Sequence, residues 1–230
     1  MTLSAVIPAL DEAVALPRLL AALVGEVDEV VVADGGSVDG TAALARAAGA
    51  RVVVASGGRG PQLNAGAAVA TGERLWFLHA DTGIPPGLGA QVRDAQARWG
   101  CCAVRVGSAD PRLRLTGRIM NARARVTGSC TGDMAIWADR ALFLAAGGFA
   151  PLAALEDLDF SDRLRGSEAW SVLAPRVTTS ARRWEAHGVT RTMAWMIALR
   201  LGYRLGVDPS RLARAYATRP RDLGSTPGAS

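Results

Sequence analysis

The chain has 230 residues, half of them hydrophobic and a fifth charged, which is enough for one sizeable core. This composition excludes an intrinsically disordered chain, a collagen-like repeat and a disulfide scaffold, because apolar residues are plentiful and cysteines number only three. The net charge of +5 comes from 26 basic residues, all of them arginine, against 21 acidic residues.

The first third of the chain alternates short apolar runs with helix-like stretches. We predict strands over residues 3–8, 29–33, 51–55 and 75–78, and helices around residues 17–24, 41–48 and 61–70. Strands that alternate with helices at this spacing indicate right-handed βαβ units and a parallel sheet covered on both faces. The predicted fold class is therefore α/β, and such a sheet binds ligands at the carboxyl ends of its strands.

The second half of the chain has a mixed pattern that continues the same sheet. We predict a helix over 88–98, a strand over 103–106, an arginine-rich helix after Pro111, a strand over 134–137 and a helix over 140–146. A glycine turn at 147–148 leads to the acidic run 156–159, which is typical of a helix start. Two helices between 189 and 216, separated at Asp208-Pro209, complete the pattern.

Polar side chains directly follow the predicted strands of the first half. Asp11-Glu12 come after the first strand, Asp34 after the second, and His79 and Asp81 after the fourth. A carboxylate at Asp34 can accept hydrogen bonds from a base N–H or from ribose hydroxyls, and an ordinary turn is the alternative. A carboxylate at Asp81 suits a hard divalent cation that bridges a diphosphate, since Mg²⁺ and Mn²⁺ prefer oxygen ligands. His79 is either a further ligand or a hydrogen-bonded histidine at a strand end.

Two later segments also carry groups suited to chemistry. Glu156-Asp157 lie at a predicted helix start, and a carboxylate there that faces a pocket can act as a general base. Arg182-Arg183-Trp184 offer guanidinium groups for a leaving diphosphate and an aromatic plate for a sugar or base, or else a surface pair beside a core tryptophan. Six arginines between residues 105 and 125 suit an anionic substrate, nucleic acid or a membrane surface, although a solvated face explains most of them.

The sequence also bears on location. The first ten residues lead straight to an acidic pair, which is not the pattern of a signal peptide. The apolar stretch 193–205 is interrupted by two arginines and is shorter than the ~20 residues that span a bilayer. Three cysteines without zinc spacing fit a reduced environment. We therefore expect a soluble, cytoplasmic protein with at most peripheral membrane contact.

Together these segments form an ordered series of motifs. The series is AVIPALDE, ADGGSVDGT, GRGPQLNAGA, FLHADT, GGF followed by EDLD, and RRWE. In number, order and spacing it resembles family 2 glycosyltransferases of the GT-A fold. More narrowly, it is similar to the small bacterial branch named for arsenosugar biosynthesis and for radical-SAM/selenodomain-associated gene neighbourhoods. The resemblance covers roughly residues 3–217.

This resemblance implies an activity and its catalytic residues. The activity is an inverting transfer from a nucleotide sugar, usually UDP-linked, with Mg²⁺ or Mn²⁺ as cofactor. Asp157 matches the catalytic base of the family, with Glu156 beside it, and Arg183 assists departure of the diphosphate. Asp81 matches the metal-binding last acid of the Asp-x-Asp motif, and His79 stands where the first acid of that motif normally stands.

The resemblance also implies the contacts to the donor. The matching positions are Pro8, Glu12, Asp34, Arg59, Gln62, Asn64 and Trp184. Of these, Asp34 matches the acid that holds the nucleoside. The chain departs from the family pattern at Gly35, which replaces the second acid of the Asp-Asp-Gly-Ser motif, and at Ser180, which replaces the glutamine of Gln-x-x-Arg-Trp.

We expect one GT-A domain over residues 1–217, with a nucleotide-binding half at 1–84, an acceptor and catalytic half at 85–188, C-terminal helices at 189–217 and a disordered tail at 218–230. The expected partners are the nucleotide-sugar donor and a small-molecule or lipid-linked acceptor, without nucleic acid. The oligomeric state stays open, a homodimer included. Two other classes also stay open: a nucleotidyltransferase, which releases pyrophosphate, and a non-catalytic nucleotide-sugar-binding protein, which binds the donor without turnover.

Overall fold

The computed structural model describes residues 1–152, 154–208, 211–212 and 214–215, and for Arg183 it describes the backbone alone. Within these residues, strands form one sheet in the order β3-β2-β1-β4-β6-β5-β7. The strands are β1 (Leu3–Ala9), β2 (Glu29–Asp34), β3 (Arg51–Val54), β4 (Arg74–Phe77), β5 (Trp99–Val106), β6 (Trp137–Asp139) and β7 (Trp170–Thr179). All neighbouring pairs are parallel except those of β6, which runs antiparallel to both β4 and β5.

Helices flank this sheet. They are α1 (Leu16–Leu23), α2 (Thr41–Ala47), α3 (Arg59–Val69), α4 (Leu88–Asp94), α5 (Pro111–Thr127), α6 (Arg140–Ala145), α7 (Glu156–Leu164), α8 (Arg182–His187) and α9 (Val189–Arg204). The predicted α/β class and mostly parallel sheet are confirmed. No helix in the described part of the chain is both long and apolar enough to cross a membrane. Cys101, Cys102 and Cys130 are buried free thiols.

The first half follows the predicted elements within one or two residues, and the second half differs at four places, one of them the short helix α8, which was not predicted. β5 begins at Trp99, and α4 ends at Asp94, because the buried Trp99 already pairs with β6 and β7. A 3-10 turn over Gly132–Met134 precedes a shorter β6 in place of the strand predicted over 134–137. β7 was not predicted: it is a half-buried edge strand without a clear apolar pattern. The second predicted C-terminal helix and the tail at 218–230 lie largely outside the described residues.

Local chemistry sets both ends of α5, the helix that leads to the site. Asp110 caps its start, because the carboxylate accepts the N–H of Arg112 at 2.8 Å, and Pro111 occupies the first turn, where a backbone N–H is not needed. Gly128 ends the helix in a left-handed conformation at φ 67°. The chain then turns back towards the sheet and forms the segment 129–134.

The loop before α7 is held on an aromatic cluster in the core. Phe149 packs against Phe77 and Phe160, with ring centroids 4.9 and 4.8 Å apart, and Phe143 joins them. Burial of such rings contributes roughly 1.5–3 kcal/mol each. Because Phe160 lies on α7 itself, this cluster fixes where the first turn of α7 stands relative to β4.

Arg74 is a buried cation at the start of β4, and we predict that it is needed for stability. Its guanidinium bonds to Asp139 at 2.7 Å and to the carbonyls of Val92, Ala95 and Ala97. Arg74→Ala leaves these acceptors unpaired in the interior, so the free energy of unfolding in urea should fall by about 3–5 kcal/mol.

Arg98 supplies a matched control for this prediction, because it approaches the same Asp139 at 3.6 Å from a side chain that is 49% exposed. Arg98→Ala should lower the free energy of unfolding by no more than about 1 kcal/mol. Equal losses in the two variants would contradict a special role for the buried arginine.

Candidate active site

A cleft of about 500 Å³ opens at the carboxyl ends of β1, β4 and β7. α7, α8 and α9 close its other side. Among the predicted site residues, those that line it are Pro8, Glu12, Arg59, Gln62, His79, Asp81, Glu156, Asp157 and Trp184. The folded chain therefore brings together residues from both halves of the sequence, at the sheet edge where parallel strands bind ligands.

Asp34 is placed next to the cleft without lining it. It ends β2 opposite Ala9 of β1, and its Oδ2 accepts the N–H groups of Gly36 and Ser37 at 3.0 and 3.1 Å. The side chain thus organises the turn after the strand. Its second oxygen, Oδ1, is buried and has no hydrogen-bond partner among the described residues, so one acceptor position is still available there.

Asn64 also does not line the cleft, and its side-chain amide forms hydrogen bonds to the backbone of Phe149 instead. Oδ1 accepts the N–H of Phe149 at 2.9 Å and Nδ2 donates to the carbonyl of Phe149 at 2.8 Å. Gln62 does line the cleft, yet its Nε2 donates to the carbonyls of Ala9 and Ala33 and so clamps β1 to β2. Both amides therefore position loops that border the cleft.

Asp157 stands in the first turn of α7 and is partly exposed to the cleft. Its Oδ2 accepts the N–H of Gly132 at 2.6 Å, and its Oδ1 accepts the N–H of Leu158 at 2.7 Å. Each carboxylate oxygen keeps a further lone pair for a ligand. The carboxylate is thus held in one orientation while it can still accept a proton.

Glu156 has a different environment from its neighbour. The side chain is 2% exposed, and the Arg59 guanidinium approaches its carboxylate at 3.5 Å. Burial raises the pKa of Glu156, the negative charge of Asp157 raises it further, and the positive charge of Arg59 opposes both effects. Glu156 is therefore harder to ionise than an ordinary glutamate.

Asp81 is paired with an arginine from α8. The Nη2 atom of Arg182 lies 3.0 Å from Asp81 Oδ2 and 3.6 Å from Glu12 Oε2. The hydrogen bond to Asp81 raises the pKa of Arg182. The guanidinium of Arg182, whose side chain is 63% exposed, thus contacts carboxylates from the loops after both β1 and β4.

His79 lies beside this pair and faces Asp133. Its Nδ1 is 3.5 Å from Asp133 Oδ1, and that carboxylate also accepts the Thr179 hydroxyl at 3.2 Å. Nε2 of His79 is buried without a hydrogen-bond partner among the described residues. A side chain at Gly132 would meet this nitrogen at 2.5 Å, so glycine is required for the close approach.

The donor set suits a divalent cation only together with a ligand. Among the described residues, no three histidine, cysteine or acidic side chains come together as a metal site. Asp81 and Glu12 nevertheless share one positive charge already, and their carboxylate oxygens are the type that Mg²⁺ and Mn²⁺ prefer. Mg²⁺ is commonly held by one or two carboxylates plus phosphate oxygens of a substrate. The residues therefore fit a metal that is completed by a diphosphate.

Other residues of the cleft were not predicted from the sequence. Thr131, Asp133 and Arg200 line it, and for Arg182 the sequence predicts a diphosphate contact or a surface position but not the ion pair with Asp81. The one available signal was Arg200, a charge inside an otherwise apolar helical stretch. For Arg183, predicted as catalytic, the side chain lies outside the described residues.

The sheet and cleft define an open α/β protein with acidic and basic groups where its parallel strands end. Comparison with known families is more specific: the model for glycosyl transferase family 2 matches residues 4–139, and the chain belongs to that family. The matched segment includes Asp34 and Asp81 and ends before α7. No curated protein sequence is significantly similar to the chain.

Solved structures share the fold. S. aureus TarS 1–349 has a TM-score of 0.60 and 20% identity, over 79% of this chain and 61% of that one. Glucosyl-3-phosphoglycerate synthase from Mycobacterium tuberculosis, crystallised with Mn²⁺, UDP and glucosyl-3-phosphoglycerate, has a TM-score of 0.57 and 26% identity, over 76% and 70%. Mannosyl-3-phosphoglycerate synthase from Rubrobacter xylanophilus has a TM-score of 0.57 and 19% identity, over 98% and 79%. The GT-A architecture is thereby confirmed, and the chain spans about three-fifths of the TarS fragment.

Proposed function

We propose that the chain is an inverting, metal-assisted glycosyltransferase that moves a sugar from a UDP-linked donor to a hydroxyl acceptor. The observation that carries the proposal is that Asp81 and Asp157, far apart in the sequence, line one cleft at the carboxyl ends of the strands. Membership of glycosyl transferase family 2 supports the reaction class. The Mn²⁺ and UDP in the mycobacterial synthase, at 26% identity, support the donor and the cofactor.

On the donor side, the chain presents both carboxylates and guanidinium groups to a diphosphate. Asp81, with Glu12 beside it, would hold Mg²⁺ or Mn²⁺, which would neutralise the negative charge that grows on the departing diphosphate. Arg182 and Arg59 line the same cleft and can form charge-assisted hydrogen bonds to phosphate oxygens. The Asp34 Oδ1 atom, which is buried without a partner among the described residues, is available to a nucleoside N–H or hydroxyl.

On the acceptor side, Asp157 acts as the general base. It takes the proton from the acceptor hydroxyl while that oxygen forms a bond to the anomeric carbon and the bond from this carbon to the diphosphate oxygen breaks. UDP leaves with the electron pair of the broken bond. One displacement from the opposite face inverts the anomeric configuration, so no covalent sugar–enzyme intermediate forms.

The direct test is a panel of nucleotide sugars with Mg²⁺ or Mn²⁺, with binding measured by calorimetry and slow donor hydrolysis followed by ¹H NMR. We expect a UDP-sugar to bind and the first sugar released to have the opposite anomeric configuration to the donor. Release of pyrophosphate with a nucleotide-linked product would instead identify a nucleotidyltransferase. Retention of configuration at early times would exclude the inverting mechanism.

A non-catalytic nucleotide-sugar-binding protein is the second candidate. It is favoured by His79 at the first position of the Asp-x-Asp motif and by the contact of Arg182 with Asp81, which reduce the number of free carboxylates for a metal. Tight UDP-sugar binding without hydrolysis or transfer to any acceptor would support it.

The proposal includes the finer expectations from the sequence. These are membership of the arsenosugar-associated branch, a single domain over residues 1–217, a cytoplasmic location, and a small-molecule or lipid-linked acceptor. Co-sedimentation with liposomes of isoprenoid phosphate distinguishes a lipid-linked acceptor from a soluble one, and analytical ultracentrifugation distinguishes a monomer from a homodimer.

A further inference from the structure

Two residues that line the cleft together with Asp157 each have a polar atom without a hydrogen-bond partner in the described part of the chain. Thr131 is only 5% exposed, and its Oγ1 has no partner among the described residues. Nε of Arg200, on α9, is buried and equally without a partner there. Both residues line the cleft. A buried polar group without a partner destabilises the protein unless a ligand or a water molecule forms a hydrogen bond to it. Such groups therefore indicate a place where a polar ligand group binds.

The side chain of Thr131 does not cap the turn that follows it, although its position suggests that role. It precedes the 3-10 turn Gly132–Met134, where a threonine side chain often caps the backbone, yet it makes no capping bond. The N–H of Gly132 instead donates to Asp157 at 2.6 Å. The Thr131 hydroxyl is therefore adjacent in sequence to the group that holds the proposed base, which places it on the acceptor side of the cleft.

The groups that act on Arg200 carry both signs, and together with Arg200 they are three arginines against two carboxylates. Asp157 and Asp133 attract its guanidinium, whereas Arg123 and Arg204 repel it. Burial lowers the pKa of Arg200 to about 10, and the charge of Arg123 lowers it too, so the group remains a cation at neutral pH. Arg123 also has a buried nitrogen, Nη2, without a partner among the described residues. A ligand anion would relieve the repulsion between these arginines.

We propose that Arg200 and Thr131 form an anion subsite, and that the acceptor sugar or alcohol carries a phosphate or carboxylate that binds there. This inference rests on the proposed function, because it assigns the subsite to the substrate whose hydroxyl Asp157 deprotonates. Arg200 determines specificity by pairing with the anion, and Thr131 donates a hydrogen bond to it. A neutral acceptor of the same size leaves both donors unsatisfied and binds more weakly.

The test uses the full chain with UDP and Mg²⁺ at saturation, so that the diphosphate position is filled. Glycerol, glycerate and glycerol 3-phosphate, which share one three-carbon skeleton, are titrated by calorimetry as a neutral, a carboxylate and a phosphate probe. We expect at least one anion to bind about tenfold more tightly than glycerol, as a charge-assisted contact predicts. The stronger of the two anions then identifies the charged group.

Variants locate the subsite. Arg200→Met should weaken binding of the anion by about tenfold and Thr131→Val by about threefold, in proportion to a charged and a neutral hydrogen bond. Arg191 lies on the same helix with its side chain exposed and outside the cleft, so Arg191→Met is the control that removes the same charge. Its anion affinity should stay within about twofold of the wild type.

The outcomes separate the two proposals. Failure of UDP to bind to the wild-type chain would contradict the proposed function itself. Normal UDP binding with no preference for either anion over glycerol would overturn the anion subsite alone. Equal losses in the Arg200 and Arg191 variants would also overturn it, because they indicate a general effect of charge. Thermal melting of each variant checks that the fold is retained, and Thr131→Val tests the subsite without a change of charge.

Discussion

Asp157→Asn is expected to lower the rate of sugar transfer by about 10²–10⁴-fold, the usual contribution of a general base. The amide keeps the size of the carboxylate and can still accept the N–H of Gly132, but it cannot take a proton from the acceptor. Because Asp157 makes no contact that the donor nucleotide needs in our proposal, UDP affinity measured by calorimetry should stay within about twofold.

Asp162→Asn is the matched control for this substitution. Asp162 lies on the same helix, α7, and pairs with Arg165 at 3.0 Å away from the cleft. The same change of charge there should leave transfer within about twofold of the wild type, because Asp162 does not line the cleft and a partly exposed pair of this kind contributes at most about 1 kcal/mol. Full transfer activity in the Asp157→Asn variant would show that Asp157 is not the general base.

Asp81→Asn is expected to abolish the dependence of nucleotide binding on the metal. Asn offers the metal a neutral amide oxygen in place of a charged carboxylate. The affinity for Mn²⁺ should therefore fall by about tenfold or more, since hard cations bind charged oxygen ligands best. The affinity for UDP in the presence of Mn²⁺ should then match the affinity measured with a chelator. Mn²⁺ binding is followed by electron paramagnetic resonance, which does not depend on activity.

Arg182→Met should have the opposite effect on Mn²⁺ alone. The guanidinium lies 3.0 Å from Asp81, so its removal frees the carboxylate and should raise Mn²⁺ affinity by about threefold in the absence of nucleotide. Asp94 is an exposed acid at the end of α4, so Asp94→Asn is the matched control for Asp81→Asn. Unchanged Mn²⁺ binding in the Asp81 variant would show that the metal, if bound, is held elsewhere.

The pattern of the first half was enough to predict the sheet and much of the cleft. β1, β2 and β4 are short apolar runs bounded by helices, so their parallel pairing follows from the alternation. Once the strands are parallel, their carboxyl ends must share one edge. The positions of Glu12 and Asp81 at that edge follow from this rule.

The direction of a side chain was not predictable in the same way. Asp34 and Asn64 stand at the expected places along the chain, yet one turns into its own loop and the other onto the backbone of Phe149. In each case the choice depends on which backbone groups nearby lack partners. Those groups become known only when distant segments are packed together.

The amino-acid sequence by itself determined the alternating α/β order, the parallel strands of the first half and the acids that follow them, because these depend on local periodicity and on chain direction. Only the tertiary structure decided that β7 completes the sheet, that Arg182 reaches Asp81, and that Thr131 and Arg200 line the same cleft as Asp157. These features join segments far apart in the chain, so they depend on tertiary packing, including the smaller apolar clusters that hold α8 and α9, rather than on any spacing between residues.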